Sequence, residues 1–283
     1  MSPNLGKIIL AVMLAFWNVE VWAHEDGAPF SGAFPELIKV HHAHIEDEQR
    51  LNLVLFDDFR FEEKDALAFG SSLEIAFNWS DEFRFGSEII IPFSNTGTSD
   101  DPYGLGDIEF QVVKYAFLNM PETILTGVFS IGLPTGDESS GLGGEALSLG
   151  GKLFFDQAYR NWYFGLNLEY DANVSGPTSS EFEVASAISY SFIGETGTGM
   201  APSKPQQSLV PTLMLELVYE RPLSGAEVGE NVVSLTPGVQ LWHPGSGWQL
   251  RFGIEIPLSS ARESDFTAHF QIGNHFEWGK LFK

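Results

Sequence analysis

The 283-residue chain has no cysteine. This excludes a disulfide framework, a thiolate nucleophile and any cysteine-ligated zinc or iron–sulfur site. Bases are scarce, with 15 Lys and Arg against 38 Asp and Glu and a formal charge of −23. Sequence-independent nucleic-acid binding needs clustered cations against phosphates, so no nucleic-acid partner is expected. Long apolar runs are missing as well. The longest spans residues 8–17, well short of the roughly eighteen residues of a spanning helix. No HExxH pair, EF-hand loop or Gly-x-Ser-x-Gly elbow occurs, and no histidine has a serine two residues on. The expectation is a protein that is not an enzyme and carries no cofactor.

What is present begins with a targeting pattern. Lys7 precedes the apolar run, and Val21-Trp22-Ala23 supplies a cleavage site. Residues 1–23 read as a secretory signal peptide. Residues 24–48 read as a solvated periplasmic lead-in.

From residue 49 to 278 the chain alternates with period two, the strand signal. Leu67, Phe69, Leu73, Ile75 and Phe77 share one parity, while Gly70, Ser72, Glu74 and Asn78 share the other. Trp248, Leu250, Phe252, Ile254 and Ile256 alternate with Gln249, Arg251, Gly253 and Glu255. Eight clear segments and four weaker ones (50–61, 108–118, 147–156, 231–242) predict about twelve strands. They are longer than soluble strands, whose mode is about five or six residues, and suit a tilted bilayer crossing. Connections near 80–81, 119–122, 157–160 and 244–247 are short. Those at 94–106, 135–146, 171–180, 221–230 and 259–265 are longer, Gly-rich and acidic. That asymmetry is the layout of an outer-membrane barrel. One connection breaks it: 194–208 is long on the short-turn side, which reads as a missed strand pair or an excursion. Aromatics gather at strand ends, as in an interfacial girdle.

The predicted fold is therefore all-β: a transmembrane antiparallel up-and-down β-barrel of about 12 strands, with 279–283 as a tail. A soluble β-sandwich shares the alternation with its apolar parity inward. The signal peptide, the strand length and a polar face rich in Gly, Ser, Thr, Asn and Gln favour the membrane form. The cell outer membrane is the expected location, reached after export. Its lipid and lipopolysaccharide, the barrel assembly machinery and a small solute are the expected partners.

With the apolar parity facing lipid, the lumen receives Glu74, Arg84, Glu88, Glu109, Lys152, Glu169, Glu183, Glu216, Arg251 and Glu255. Such an acid excess favours cations in a conducting pore. The competing reading has these charges pair and fill the lumen. In His41-His42-Ala43-His44-Ile45-Glu46, the side chains of His42, His44 and Glu46 share one face of an extended chain and could ligate a metal.

Two stretches also carry a family likeness. One is Tyr103-Gly104-Leu105-Gly106-Asp107-Ile108-Glu109-Phe110, continuing through Lys114-Tyr115-Ala116-Phe117-Leu118. The other is Ser130-Ile131-Gly132-Leu133-Pro134-Thr135-Gly136-Asp137. They resemble strand motifs of bacterial outer-membrane proteins grouped under the MetA pathway of phenol degradation. The resemblance implies an outer-membrane barrel with a transport role, often for small hydrophobic or aromatic compounds, and it supplies no catalytic residues. In physical terms, Gly and Pro let the chain leave a strand and Asp bonds turn backbone. The function expected is a passive channel or transporter-like barrel for small solutes. The rivals are a metal-cation-associated barrel using the His/acidic segment and a structural or adhesive barrel whose acidic outer loops bind a partner.

Overall fold

Twelve long strands close into one antiparallel ring. This computed structural model describes residues 34–275 except 62–63, 81, 95–102, 138–141, 145, 178, 194–208, 226–227 and 262–263, and leaves the side chains of 57–68 undescribed. The expected signal peptide at 1–23 and the expected tail at 279–283 lie outside the described residues.

The strands are β1 Glu48–Phe61, β2 Lys64–Asn78, β3 Phe85–Ser94, β4 Gly104–Leu105, β5 Ile108–Asn119, β6 Thr123–Leu133 and β7 Ser148–Tyr159. They continue with β8 Trp162–Asn173, β9 Ser180–Ser191, β10 Val210–Ser224, β11 Val232–His243, β12 Trp248–Pro257 and β13 Phe266–His275. Each long strand pairs with its neighbours in sequence, and β1 closes the ring on β13. The two-residue β4, which alternation does not reveal, lies along the end of β3. Because β9 pairs directly with β10, no strand pair is inserted between them. The connection itself, 194–208, lies outside the described residues.

The faces are inverted relative to a soluble protein. Phe117 and Trp79 are 62% and 61% exposed on the outside, while Gln111, Asn167, Gln240 and Gln249 are buried inside. An apolar outer surface over polar inner positions is stable only where lipid is the outer solvent. Trp79, Phe85, Tyr115, Tyr159, Trp162 and Phe192, all exposed, ring the short-turn end. There Trp162 and Tyr190 meet edge to face at 5.0 Å. These rings sit where amphipathic aromatics anchor a barrel to the interface.

The outward position of Ile254 gives a direct check. Ile254→Arg puts a charge near mid-bilayer and is expected to cost roughly 2–4 kcal/mol, against about 0–1 kcal/mol for Leu258→Arg beyond the strand end. Unfolding in lipid vesicles measures both, and equal costs would contradict the bilayer-depth dependence expected of an outward, lipid-facing strand.

Strict alternation fails in β5. A register shift between Gln111 and Val113 leaves Val112 and Val113 both exposed and turns Lys114 inward. A bulge adds one residue and flips the parity that follows. Lys114 therefore joins the lumen, although counting by twos from Glu109 places it outside.

The two motifs that carry the family likeness meet in space. The Asp107 carboxylate accepts the backbone N–H of Gly136 at 2.8 Å and of Gly144 at 2.7 Å. The Thr135 hydroxyl donates to the Gly106 carbonyl at 2.9 Å. Their role is to tie the loop after β6 to the start of β5.

Candidate functional site

Residues 34–47, the strap, occupy the barrel interior. The sequence reading placed them in a solvated lead-in, whereas Phe34, Glu36, Leu37, Val40, His42, Ala43, His44 and Glu46 are all buried. The physical reason lies in the inward positions of β6–β10. Ile124, Val128, Phe154, Tyr163, Ala185, Met214 and Val218 give half of the lumen an apolar wall, and the strap's apolar side chains cluster on it. Burying apolar area there is favourable even inside a barrel.

A buried strap must also satisfy its backbone. Glu216 does much of this. Its carboxylate accepts the N–H of Ile38 at 2.9 Å, Lys39 at 2.8 Å and Val40 at 2.8 Å. The Asp156 carboxylate accepts the Ala43 N–H at 2.8 Å, and Thr126 donates its hydroxyl to the Ala43 carbonyl. Gln271 donates to the Ile38 carbonyl at 3.0 Å and Arg251 to the Leu37 carbonyl at 3.1 Å. Gly238 and Gly253 matter through what they lack, because an added Cβ at either would overlap the Ile38 Cδ1.

The other half of the lumen is charged. Arg50 on β1 faces four carboxylates: Glu74 at 2.5 Å, Glu36 and Glu88 at 3.8 Å, and Glu48 at 4.0 Å. Lys114 pairs with Glu88 at 2.8 Å. Arg251, buried, reaches Glu48 at 3.4 Å and Glu36 at 3.5 Å. Into the same network the strap brings His42 and His44, and β13 brings His275, whose Nδ1 lies 2.9 Å from Glu46. Charged groups withdrawn from water hold only where partners surround them, and these do.

Of the lumen residues expected from parity, Glu88, Lys152, Glu169, Glu216 and Arg251 are buried inside. Lys152 bridges Glu109 at 2.8 Å and Glu169 at 3.2 Å. Glu74 is held by Arg50 and Glu255 by His269 at 2.9 Å. Glu183 sits between Glu169 and Glu220 in the strand register. Arg84 is the correction. β3 starts only at Phe85, and the Ser80 hydroxyl accepts the N–H of both Arg84 and Phe85 to close a turn. Arg84, half-exposed in that turn, pairs with exposed Glu82 at 3.4 Å and donates to the Ala116 carbonyl at 3.3 Å, at the short-turn end rather than among the buried lumen charges.

His42, His44 and Glu46, expected as metal ligands, are brought together, and Glu36 joins them. Glu36 was missed because its role depends on the strap doubling back in the lumen. Arg50 and Asp156 were also missed, although each sits on the inward parity of its strand.

At the long-loop end a cavity of about 260 Å³ opens, lined by Glu181, Glu220, Glu230, Glu255 and Lys39 among others. Lys39, at the strap's apex, reaches Glu255 at 3.3 Å. The strap thus forms part of the floor of an acidic mouth.

Among solved structures, the chain is similar to an outer-membrane channel from Pseudomonas putida F1, at 11% identity and a TM-score of 0.53, over 86% of this chain and 100% of that one. It is also similar to the NanC porin, at 9% identity and a TM-score of 0.50, over 82% of this chain and 99% of that one. At such identities the likeness is one of fold, that of outer-membrane barrels. No family model and no curated relative matches the chain.

Proposed function

We propose that the barrel is an outer-membrane channel for small solutes, and that the strap keeps it shut until displaced. The observation that carries this reading is the way the strap is held. Hydrogen bonds and apolar contacts to the wall anchor it, and it contributes no strand to the ring, so it can leave without opening the barrel. The fold shared with an outer-membrane channel and a porin agrees with this reading. No chemical step is part of it.

The acidic mouth favours cationic solutes, because rings of one charge sign concentrate the opposite ion. A solute cation arriving there competes with Lys39 for Glu255. The apolar wall on β6–β10, uncovered when the strap leaves, suits hydrophobic or aromatic groups, the cargo that the motif resemblance implies. In planar bilayers with a salt gradient, the reversal potential is expected to show cation preference. Replacing Glu181, Glu220 and Glu230 by Gln should reduce that preference. Anion preference in the unaltered protein would reject this account of the mouth.

A further inference from the structure

We infer that Glu36, His42, His44 and Glu46 form a divalent-metal site, of the zinc class, that ties the strap into a closed loop. The inference stands on the geometry of these side chains and does not depend on whether the barrel conducts.

One ligand atom from each of the four residues lies within 4.8 Å of all the others, and all four residues are buried. His44 Nε2 is 3.0 Å from Glu36 Oε1 and 2.5 Å from Glu46 Oε1, and His42 Nε2 is 3.2 Å from Glu36 Oε2. A tetrahedral ion with bonds of about 2.0–2.1 Å has ligand–ligand edges of roughly 3.3 Å. Three donor contacts thus fall at or below such an edge, and the four donor atoms together lie within the span that a small shift of side chains would close around one ion.

The far side of each imidazole fits the same role. His42 Nδ1 lies 3.1 Å from the His44 carbonyl, which can only accept, so a ligating neutral ring would hold its proton there and present Nε2 to the shared centre. His44 Nδ1 faces Asp156 Oδ2 at 3.6 Å. Ligating histidines typically turn their other nitrogen to a carbonyl or carboxylate, which fixes the ring and its tautomer. The two rings lie 3.8 Å apart between centroids. Two imidazolium cations at that separation repel, whereas two neutral rings sharing one cation do not.

The remaining carboxylate contacts support the ligands from outside. Arg251 approaches Glu36 at 3.5 Å, and His275 Nδ1 approaches Glu46 at 2.9 Å. Four protein donors with imidazole and carboxylate chemistry make a closed site, structural in character and suited to zinc, copper or nickel. All four ligands belong to the strap. A bound ion therefore fixes the strap's own shape, holding residue 36 against residues 42–46.

The test uses the full, tag-free protein refolded in detergent micelles and zinc alone as the probe. Isothermal titration and metal analysis after dialysis should give one tightly held zinc per barrel. The His42→Gln/His44→Gln variant should lose it, while His243→Gln, altered at an exposed turn, should retain it. Equal zinc binding by the double variant and the unaltered protein would overturn the site, as would no zinc in either. Should the double variant fail to fold, the X-ray absorption spectrum of the zinc-loaded unaltered protein decides. Two imidazoles and two carboxylates in the shell are expected, and a shell without imidazole scattering overturns the proposal.

Discussion

Glu216→Ala is expected to release the strap and raise the channel's open fraction about a hundredfold. Three buried backbone N–H groups, those of Ile38, Lys39 and Val40, lose their acceptor at once. Hydrogen bonds to a charged group are worth about 1.5–3 kcal/mol each. Some of this is recovered when the freed strap meets water, so we take roughly 3 kcal/mol for the docked state. At about 1.4 kcal/mol per factor of ten, that shifts the docked-to-free ratio about a hundredfold. The barrel itself should persist, since β10 keeps its ladder to β9 and β11. Glu216→Gln retains one acceptor oxygen and should fall between the two. Single-channel recording measures the open fraction, and an unchanged value in Glu216→Ala would mean that the strap does not control passage.

Arg50→Met should produce the largest loss of barrel stability. The guanidinium stands among Glu36, Glu48, Glu74 and Glu88, all within 4.0 Å. Removing one partner of a buried ion pair leaves its mates uncompensated and typically costs 3–5 kcal/mol. Here four carboxylates face the gap, so a cost of about 4 kcal/mol is expected in urea unfolding from lipid vesicles. Adding Glu74→Gln should restore part of it, because the closest opposed charge is then gone. That positive coupling is the sign of direct interaction in a double-mutant cycle. Strictly additive costs would show that Arg50 and Glu74 act independently.

The barrel was legible because lipid imposes a simple rule on every strand. Leu250, Phe252, Ile254 and Ile256 must face outward, so Arg251 and Glu255 must face inward, and the structure places them so. Lys114 escaped that rule because one extra residue at Val112–Val113 shifts the count, and no local feature of the sequence marks the bulge. Arg84 escaped it from the other side, as the Ser80 turn ends the alternation one residue earlier than parity suggests. The strap was the larger miss. Its residues carry no strand pattern, and their burial depends on a pocket assembled from β6 to β10. A hint lay in those strands: Ala185, Ala187, Gly165 and Ala158 are small where a water-filled lumen has no need of small residues. Small inward residues signal that something else fills the space. The histidines were visible as a cluster, but Glu36, six residues before His42, reaches them only through the fold.

In the proposed channel the strap blocks the lumen and must move before the barrel conducts. The absence of native cysteine allows a clean test. Ile38 packs directly against Gly253, where an added Cβ would overlap its Cδ1. Ile38→Cys removes that Cδ1, and with Gly253→Cys the two thiols face the space it leaves, where a disulfide with its Cβ atoms about 3.5–4.5 Å apart can form. With the crosslink confirmed by mass spectrometry, the oxidised barrel in a planar bilayer should stay shut, and reductant should restore openings in the same membrane. An oxidised, crosslinked barrel that conducts like the reduced one would contradict the claim.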